Sequence, residues 1–394
     1  SIIKKRYNKN AYYFPKGTDL LIYFFELAKR LLKNTGINTF ITQNAWLDTE
    51  YGAKFQEFLK KYFNIYAIID SDYKYFETAD INTVITVLEK NDIITSPITY
   101  FKVHDKSFEK CNIHSEKEIN GIEIKRFNLS DIMLSKLKWG FLFNSSKEVI
   151  KLLEKMYEKG KVADEMRYSI GQGLNLTKDY IISNNEKIFV TEEALIPFYT
   201  VENNGTLIWE KAEKYIINKS KNRKHDKDFK EFDTEKTKKV PPAIILPRGI
   251  GNRHYASINK LEGYSSSYVD IYIPKEKQED ILKVWIFCNS SAFWLIREIA
   301  GRTNLGGGML KAEAVDIRNI PILYQFKDID QLKEIYNQCK EKTTEDVNVE
   351  IHKEYHKSID KLVFDILEVD EEERKILKKQ LTEKVNARNK KILK

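Results

Sequence analysis

The sequence predicts an α/β sheet domain, followed by a β-rich α+β domain and a helical C-terminal tail. Helix and strand patterns alternate over residues 19–90, which is typical of a layered α/β sheet. Most of the glycines and prolines fall within residues 166–325, where short β-like runs replace this alternation. Residues 326–394 are highly charged and contain no glycine or proline, as expected of helices.

Each N-terminal element is predicted from its pattern of apolar residues. Residues 19–36 form a largely buried helix that is closed by a C-cap glycine, Gly36. Residues 48–63 form a second amphipathic helix, with Asp48 as its N-cap. Runs of β-branched residues predict strands at 37–43, 65–71 and 81–90. These elements indicate a three-layer α/β sheet, although the sequence does not open with the strand and glycine-rich turn of a doubly wound nucleotide-binding sheet.

We divide the chain into four segments by composition. Residues 1–105 form the α/β domain, and residues 106–165 are a charged transition with a helix around 146–158. Residues 166–325 form the β-rich domain and 326–394 the helical tail. A lysine-rich stretch at 211–239 is either a solvated loop or an arm that lies along phosphates.

Composition limits the classes of function. The chain has 394 residues and a formal net charge of +8, which mildly favours an acidic partner such as nucleic acid. No apolar run is long enough for a transmembrane helix, and the N-terminal residues lack the layout of a secretory signal. The three cysteines (Cys111, Cys288 and Cys339) are far apart, which favours a reducing cytoplasm over a disulfide framework.

No single stretch of the sequence forms a complete catalytic motif. His352 and His356 have the spacing of a metal-binding pair, but no third ligand is evident, so we expect a solvent-facing pair. Residues 70–81 begin like a calcium loop but end in Ile81, where a bidentate glutamate is required. The sequence contains neither a G-x-S-x-G nucleophile elbow nor a phosphate-binding P-loop. We therefore predict no metal site.

Three glycine-containing stretches carry more information: "GQGLNLTK" (171–178), "LPRGIGNRHYAS" (246–257) and "RTNLGGGMLK" (302–311). Each places glycines beside cationic or hydrogen-bonding side chains, so each suits close approach to a polyanion. The alternative is ordinary β-turns, or for the third stretch a tight turn beside Trp294. The candidate DNA-binding residues are Asn175, Lys178, Arg248, Arg253, His254, Arg302, Asn304, Gly306, Gly307, Gly308 and Lys311, with Tyr255 as an aromatic contact.

Several of these segments together resemble a known family. "KGTDLLIYFFELAKRLLKNTGINTFITQNAWLDTEYGAKFQEFLKKYFNIYAIIDSDYKYFETADINTVITVLEK" is similar to the later motifs of gamma-class adenine-N6 DNA methyltransferases of restriction–modification systems. "LPRGIGNRHYASINKLEGYSSSYVDIY" and "RTNLGGGMLKAEAVDIRNIPI" resemble their TaqI-like C-terminal specificity domain. The resemblance implies a partial Rossmann-like methyltransferase sheet, a β-rich α+β target-recognition domain and a helical C-terminal tail.

The resemblance also implies roles for individual residues. Asp19 and Leu20 match positions that shape the pocket for cofactor and adenine, and Phe76 matches the aromatic residue that stacks on the flipped adenine. An adenine must leave the base stack to be methylated, and an aromatic ring replaces about 1–3 kcal/mol of lost stacking. The alternative for Phe76 is a side chain of the hydrophobic core.

Two expected motifs of the family are missing. The only proline pair, Pro241-Pro242, lacks the flanking residues of the Asn/Asp-Pro-Pro-Tyr/Phe catalytic loop, and the glycine-rich S-adenosylmethionine loop is not found. We therefore expect a C-terminal part of a longer enzyme, with or without a fused endonuclease, that is inactive alone and binds no cofactor tightly. Its expected partners are double-stranded DNA and the missing N-terminal methyltransferase half, in the same polypeptide or a separate chain, with no membrane involved.

Three alternatives remain open at the level of sequence. The chain could be a non-catalytic DNA-recognition subunit that acts through a partner, or a fragment of an RNA methyltransferase. It could also be a nuclease or another hydrolase, although the sequence shows no carboxylate cluster with a nearby lysine.

Overall fold

The structure is a computed structural model that describes residue 14 and residues 16–71, 82–93, 97–104, 121–128, 138–224, 228–302 and 309–390. The chain divides into two compact units, residues 1–145 (unit 1) and 146–394 (unit 2). Among the described residues, no helix is long and apolar enough to cross a membrane.

Unit 1 is built around a five-stranded mixed sheet with the order β1-β3-β2-β4-β5. Strands β2 and β4 are parallel, and the other neighbouring strands are antiparallel. The predicted strands at 37–43, 65–71 and 81–90 are confirmed as β1, β2 and β3. The elements are α1 (Leu20–Leu31), β1 (Ile37–Gln43), α2 (Glu50–Tyr62), β2 (Phe63–Ser71), β3 (Thr83–Lys90), β4 (Ile98–Val103), β5 (Ile122–Phe127) and α3 (Trp139–Phe143).

The described helices of unit 1 pack on one face of this sheet. Phe40 and Tyr100 lie in one cross-strand row of that face, through Thr86 and Ile68. The Phe25 ring of α1 contacts Phe40 at 5.0 Å, and the Phe143 ring of α3 stacks on Tyr100 at 4.5 Å. The opposite face carries an apolar cluster that includes Ala67, Ile69, Phe101, Val103, Ile122 and Ile124. The described residues therefore form two layers, and the predicted third layer is not found among them.

Two predicted helix ends in unit 1 are wrong. Helix α1 ends at Leu31 and not at Gly36, because Leu32 is already extended. The left-handed residue of the following turn is Thr35, with a φ of 63°, so the turn does not use the conformational freedom of Gly36. The N-cap of α2 is Thr49 and not Asp48.

Unit 2 contains two mixed sheets and a short ladder. The first sheet, sheet A, has the order β6-β16-β12-β14-β9, and the second has the order β11-β10-β8-β15, with β7 also pairing β10. Strands β13 and β17 pair separately. The strands are β6 (Ser169–Gln172), β7 (Ile181–Ser183), β8 (Leu195–Tyr199), β9 (Ile208–Trp209), β10 (Lys214–Asn218), β11 (Glu231–Phe232), β12 (Ile244–Leu246), β13 (Gly249–Ile250), β14 (Ser257–Asn259), β15 (Tyr264–Ser265), β16 (Val269–Tyr272) and β17 (Leu310–Lys311).

Helices cover the rest of unit 2. Its longest helix, α12, packs along α7, so the C-terminal tail is part of this unit and not a separate segment. The helices are α4 (Lys147–Lys159), α5 (Thr234–Thr237), α6 (Asp280–Cys288), α7 (Ser291–Ala300), α8 (Ala314–Ile317), α9 (Ile329–Gln338), α10 (Val347–Glu350), α11 (Glu354–Ile366) and α12 (Glu371–Lys390).

The predicted transition at 106–165 is divided between the two units. Its strand β5 pairs with β4 in unit 1, whereas its helix α4, predicted around 146–158, lies in unit 2. The Ser146 side chain caps α4 and donates to Gln380 of α12 at 2.9 Å. The described residues of this segment therefore form regular elements in both units.

A buried carboxyl group, Asp270 of β16, lies near one end of sheet A. Ser265 Oγ donates to it at 2.6 Å and Tyr272 OH at 3.1 Å. Burial raises the pKa of Asp270 to about 7, against the opposing effects of these two bonds and of the Lys239 charge. Because the folded state holds this proton more tightly than the unfolded state, the stability from this group is complete below about pH 4 and is lost as the pH rises through about 7.

We therefore expect Asp270→Asn to flatten the pH dependence of stability. Between pH 5 and 8, the free energy of unfolding of the parent should fall by on the order of 1–3 kcal/mol more than that of the variant. Urea denaturation across this range measures the difference. The control, Asp330→Asn, changes an exposed carboxylate of α9 and should behave as the parent does. Parallel curves for parent and Asp270→Asn would contradict the expectation.

Candidate nucleic-acid interface

Two of the glycine-containing stretches leave sheet A at the same end. Gln172, the last residue of β6, pairs with Val269, which also pairs with Leu246, the last residue of β12. The antiparallel arrangement thus brings the segments after Gln172 and after Leu246 to one end of the sheet. Ser257, the first residue of β14, pairs with Ile245 near that end. The predicted stretches 171–178 and 246–257 are therefore neighbours in the fold.

The backbone of residues 247–254, which we call the arginine loop, is bonded throughout to the interior of unit 2. Its residues Gly249–Ile250 form β13 and pair with β17. The carbonyl of Arg248 accepts from Ala312 N at 2.9 Å, and that of Asn252 accepts from Val347 N at 2.9 Å. Buried guanidinium groups of Arg297 and Arg388 donate to the carbonyls of Pro247, Ile250 and Gly251. Hydrogen bonds from the interior of unit 2 thus hold the loop backbone in place.

Three of the predicted basic side chains lie in or beside the β13–β17 ladder. Arg248 and Lys311 both pair with Glu313, at 3.2 Å and 2.7 Å. The backbone of Arg302 forms a bridge with Lys311, and its guanidinium lies 3.5 Å from Asp316. The two pairs with Glu313 are partly exposed, so each contributes about 0–1 kcal/mol and can be exchanged for a phosphate at little cost. Asp316, by contrast, is buried, with a side chain that is 1% exposed.

Arg253 differs from these three cations. Its side chain is exposed and forms no ion pair with any residue that the structure describes. The arginine loop and the residues beside the β13–β17 ladder thus present four cations (Arg248, Arg253, Arg302 and Lys311), three of which lie near Glu313 or Asp316. These cations suit an anionic partner.

The prediction that His254 contacts DNA is wrong. Its side chain is completely buried, with Nε2 2.6 Å from Glu298 and the ring stacked against Trp294 at 5.7 Å. Tyr255 is also buried, and its hydroxyl donates to Asn204 at 2.8 Å. Both residues anchor the C-terminal end of the arginine loop in the core, and neither side chain reaches the surface.

The remaining predicted DNA contacts have varied positions. Asn175 and Lys178 are exposed, and the preceding Leu174 is buried in a cluster with Phe198 and Ile216. Asn304, Gly306, Gly307 and Gly308 lie outside the described residues, as does the predicted adenine-stacking residue Phe76.

Asp19 and Leu20, predicted to shape the pocket, lie at the start of α1. The Asp19 carboxylate caps the helix by accepting from Leu21 N at 3.0 Å, and it accepts from Gln43 Nε2 at 2.6 Å. Its two oxygens are thus both engaged. Leu20 is 68% exposed and contributes little to the core.

Gly251 lies at an open position on the arginine loop. A Cβ atom added there would meet no atom within 4 Å, and the backbone does not adopt the left-handed conformation that favours glycine. By contrast, a Cβ on Gly249 would lie 2.9 Å from the sulfur of Met309. That sulfur belongs to a flexible, exposed side chain that can move aside, and nothing within the described protein requires a glycine at 251.

Sequence reasoning missed the buried polar residues that hold the arginine loop, namely Arg297, Glu298 and Arg388. The side chains of all three are at least nine-tenths buried. Burial alone would raise the pKa of Glu298, but the bonds from His254 and Arg388 outweigh it and lower this pKa. Burial lowers the pKa of His254, so His254 is a neutral donor to a charged Glu298. An Arg-Glu pair inside the apolar helix "SAFWLIREIA" was the available signal.

The predicted solvent-facing histidine pair is also wrong. His352 precedes α11 and is exposed, whereas His356 is buried and lies 3.0 Å from Ser291 Oγ. Asp360 accepts from both the amide and the hydroxyl of Ser291, at 2.7 Å each. It lies 3.5 Å from the same His356 nitrogen that faces the serine, which is not the relay of a catalytic triad. This cluster fixes the start of α7.

No metal centre emerges from the described residues, in which no group of three His, Cys, Asp or Glu side chains is placed to bind an ion. Cys288 and Cys339 are buried free thiols, and burial raises the pKa of each to about 12. Neither is therefore an activated nucleophile. Cys111 lies outside the described residues.

One family model matches the first part of the chain. Residues 1–76 match the model described as Eco57I restriction-modification methylase. The first part of unit 1 is therefore similar to this family. No curated protein matches the chain.

Solved structures of restriction–modification enzymes are also similar to this chain. The type IIG restriction endonuclease BpuSI is 15% identical with a TM-score of 0.47, over 100% of this chain and 52% of that one. The type IIL restriction-modification enzyme MmeI, in complex with DNA, is 11% identical with a TM-score of 0.47, over 95% and 53%. A DrdV–DNA complex is 10% identical with a TM-score of 0.36, over 79% and 38%. This chain spans about half the length of the first two.

Proposed function

We propose that this chain is the target-recognition and adenine-binding part of a site-specific adenine-N6 DNA methyltransferase of a restriction–modification system. Unit 2 reads the DNA duplex through the arginine loop and its neighbours, and unit 1 belongs to the catalytic domain. The carrying observation is the fixed backbone of residues 247–254, beside the cations Arg248, Arg253, Arg302 and Lys311. The methylase match of residues 1–76 supports the assignment of unit 1.

The chemistry of these side chains suits DNA. Arginine donates bidentate bonds to the guanine edge in the major groove and to phosphates, and lysine neutralises phosphates. Asn175 and Lys178 leave the same end of sheet A and are proposed to contact the backbone there. The proposed roles of Asn304 and of Gly306, Gly307 and Gly308 are backbone contacts to phosphates.

In unit 1, Phe76 is proposed to stack on the flipped adenine. The methyl donor of the complete enzyme is proposed to be S-adenosylmethionine, which supplies the methyl group for the adenine amine. The Asp19 carboxylate, a proposed part of the pocket for cofactor and adenine, caps α1 and accepts from Gln43, and the glycine-rich S-adenosylmethionine loop is not found in the sequence. We therefore assign cofactor binding to an N-terminal methyltransferase half, in the same polypeptide or in a separate chain.

An exposed apolar surface on unit 1 supports a partner of this kind. Helix α1 exposes four apolar side chains at spacings of three and four residues, and β1 is an edge strand of the described sheet. Exposed apolar stripes and the open edges of sheets both favour association with further chain. The stripe consists of Leu20, Phe24, Leu27 and Leu31.

The proposed DNA function is tested by selection of bound fragments from randomised duplex DNA at two salt concentrations. Enrichment of one short motif that contains an adenine is the expected result. Salt-sensitive binding without a motif would mean that the N-terminal half is needed to set the register. Absence of binding at both salts, preference for structured RNA, or metal-dependent cleavage by this chain would contradict the proposal.

We expect Gly251→Ala to weaken DNA binding without affecting the fold. The added methyl group meets open space in the protein but obstructs a duplex that approaches the loop backbone. A loss of about tenfold in affinity, or 1.4 kcal/mol, is expected at unchanged melting temperature. The contrasting variant Gly263→Ala should lower the melting temperature, because its methyl group would lie 2.3 Å from the backbone oxygen of Pro197. Unchanged affinity of Gly251→Ala would place the DNA elsewhere.

The α1 stripe should make the chain self-associate when no partner covers it. Light scattering at increasing concentration should show oligomers of the parent and a shift towards monomer for Phe24→Lys combined with Leu31→Lys. The control, Ile93→Lys, changes another exposed apolar side chain of unit 1 and should leave the oligomers unchanged. A monomeric parent at high concentration would contradict this expectation.

A further inference from the structure

We infer that the C-terminal helix α12 is a positioning element for DNA recognition, and that it acts through one buried residue, Arg388. The inference rests on the proposed DNA function for its binding readout. Its structural part concerns only contacts within unit 2, which are tested without DNA. Arg388 touches no surface that is open to DNA, so it is a positioning residue and not a contact.

Arg388 joins three parts of unit 2 with one guanidinium group. Its Nε donates to Glu298 Oε2 at 2.9 Å, and its Nη2 donates to Glu298 Oε1 at 2.6 Å. The same group donates to the carbonyl of Ile250 at 3.2 Å and to that of Gly251 at 2.9 Å. The planar guanidinium group thus binds the carboxylate of α7 and two carbonyls of the arginine loop at the same time.

Arg388 forms these hydrogen bonds in the interior of unit 2. The side chain of Arg388 is 5% exposed and that of Glu298 is 1% exposed. Loss of one partner from a buried pair leaves the other charge without compensation, which is far more costly than loss of a surface pair. The carboxylate also accepts from His254, the last residue of the arginine loop. Both ends of the Ile250–His254 stretch therefore depend on Glu298 and Arg388.

This arrangement determines which part of the loop faces outward. Because the carbonyls of Pro247, Ile250, Gly251 and Asn252 all accept bonds from inside, they are withheld from the surface. The exposed residues of the loop are then Gly249, Gly251 with its open side, and Arg253. A loop fixed before binding loses less conformational entropy when it binds, and it holds its side chains in one register. We therefore expect Arg388 to control sequence specificity more than affinity for DNA in general.

The decisive variants are Arg388→Lys and Arg388→Met in the full 394-residue chain. Lysine keeps the positive charge beside Glu298, but one ammonium group cannot also hold both carbonyls. We expect the ratio of affinities for the selected motif and for scrambled duplex to fall about tenfold in Arg388→Lys. Binding to scrambled duplex should change less than threefold. The control, Lys379→Met, removes an exposed charge from the same helix and should leave both affinities within twofold of the parent.

Hydrogen exchange provides a readout that is independent of DNA. At temperatures well below unfolding, the amides of residues 248–253 should exchange at least tenfold faster in Arg388→Lys than in the parent or in Lys379→Met. Amides of β10, in the other sheet of unit 2, should be unchanged. If Arg388→Met unfolds as a whole, the Arg388→Lys comparison still decides the matter.

The possible outcomes separate the inference from the proposed function. A parent that binds no DNA overturns the proposed function and with it the recognition role of Arg388. Faster exchange of the loop amides in Arg388→Lys would then still support the part of the inference that says Arg388 holds the arginine loop in place. A parent that selects a motif, with Arg388→Lys retaining the same specificity and the same loop protection, overturns the inference alone.

Discussion

The second unit depends on one buried carboxylate, Glu298 of α7. Charged groups are costly to remove from water, and Glu298 is stable there because Arg388 and His254 both donate to it. These three residues come from the α7 helix, the C-terminal helix and the arginine loop. The cluster of Glu298, Arg388 and His254 therefore fixes segments that are far apart in sequence. The geometry of the surface that we assign to DNA depends on this cluster.

The cations at that surface are bound differently from the buried Arg388. Arg302 lies near the buried carboxylate of Asp316, whereas Arg248 and Lys311 share Glu313 in pairs that remain partly accessible to water. Such pairs keep the side chains near their working positions but are weak enough to be exchanged for phosphates. The unit thus combines a rigid backbone with side chains that can change partners, as recognition of a polyanion requires.

Local elements were predictable from sequence, and long-range arrangements were not. The β-branched run at 37–43 matches β1 residue for residue, because its pattern is local. The order of the sheets depends on pairings between distant strands, which no local pattern encodes. His254 and His356 were expected at the surface because polar residues usually lie there, yet each found a partner in the core. Burial of a polar residue is decided by the partners that the fold supplies.

The sequence of α12 shows how a polar residue comes to occupy such a position. Leu377, Leu381 and Val385 form its buried apolar stripe, and Arg388 continues this stripe one turn further. The three apolar residues provide non-directional burial, which by itself would tolerate small shifts of the helix along its neighbours. Arg388 adds directional bonds to one carboxylate and two carbonyls, which only one register satisfies. Arg388, at the end of this apolar stripe, therefore fixes the register of α12 and, through its two carbonyl bonds, the position of the arginine loop.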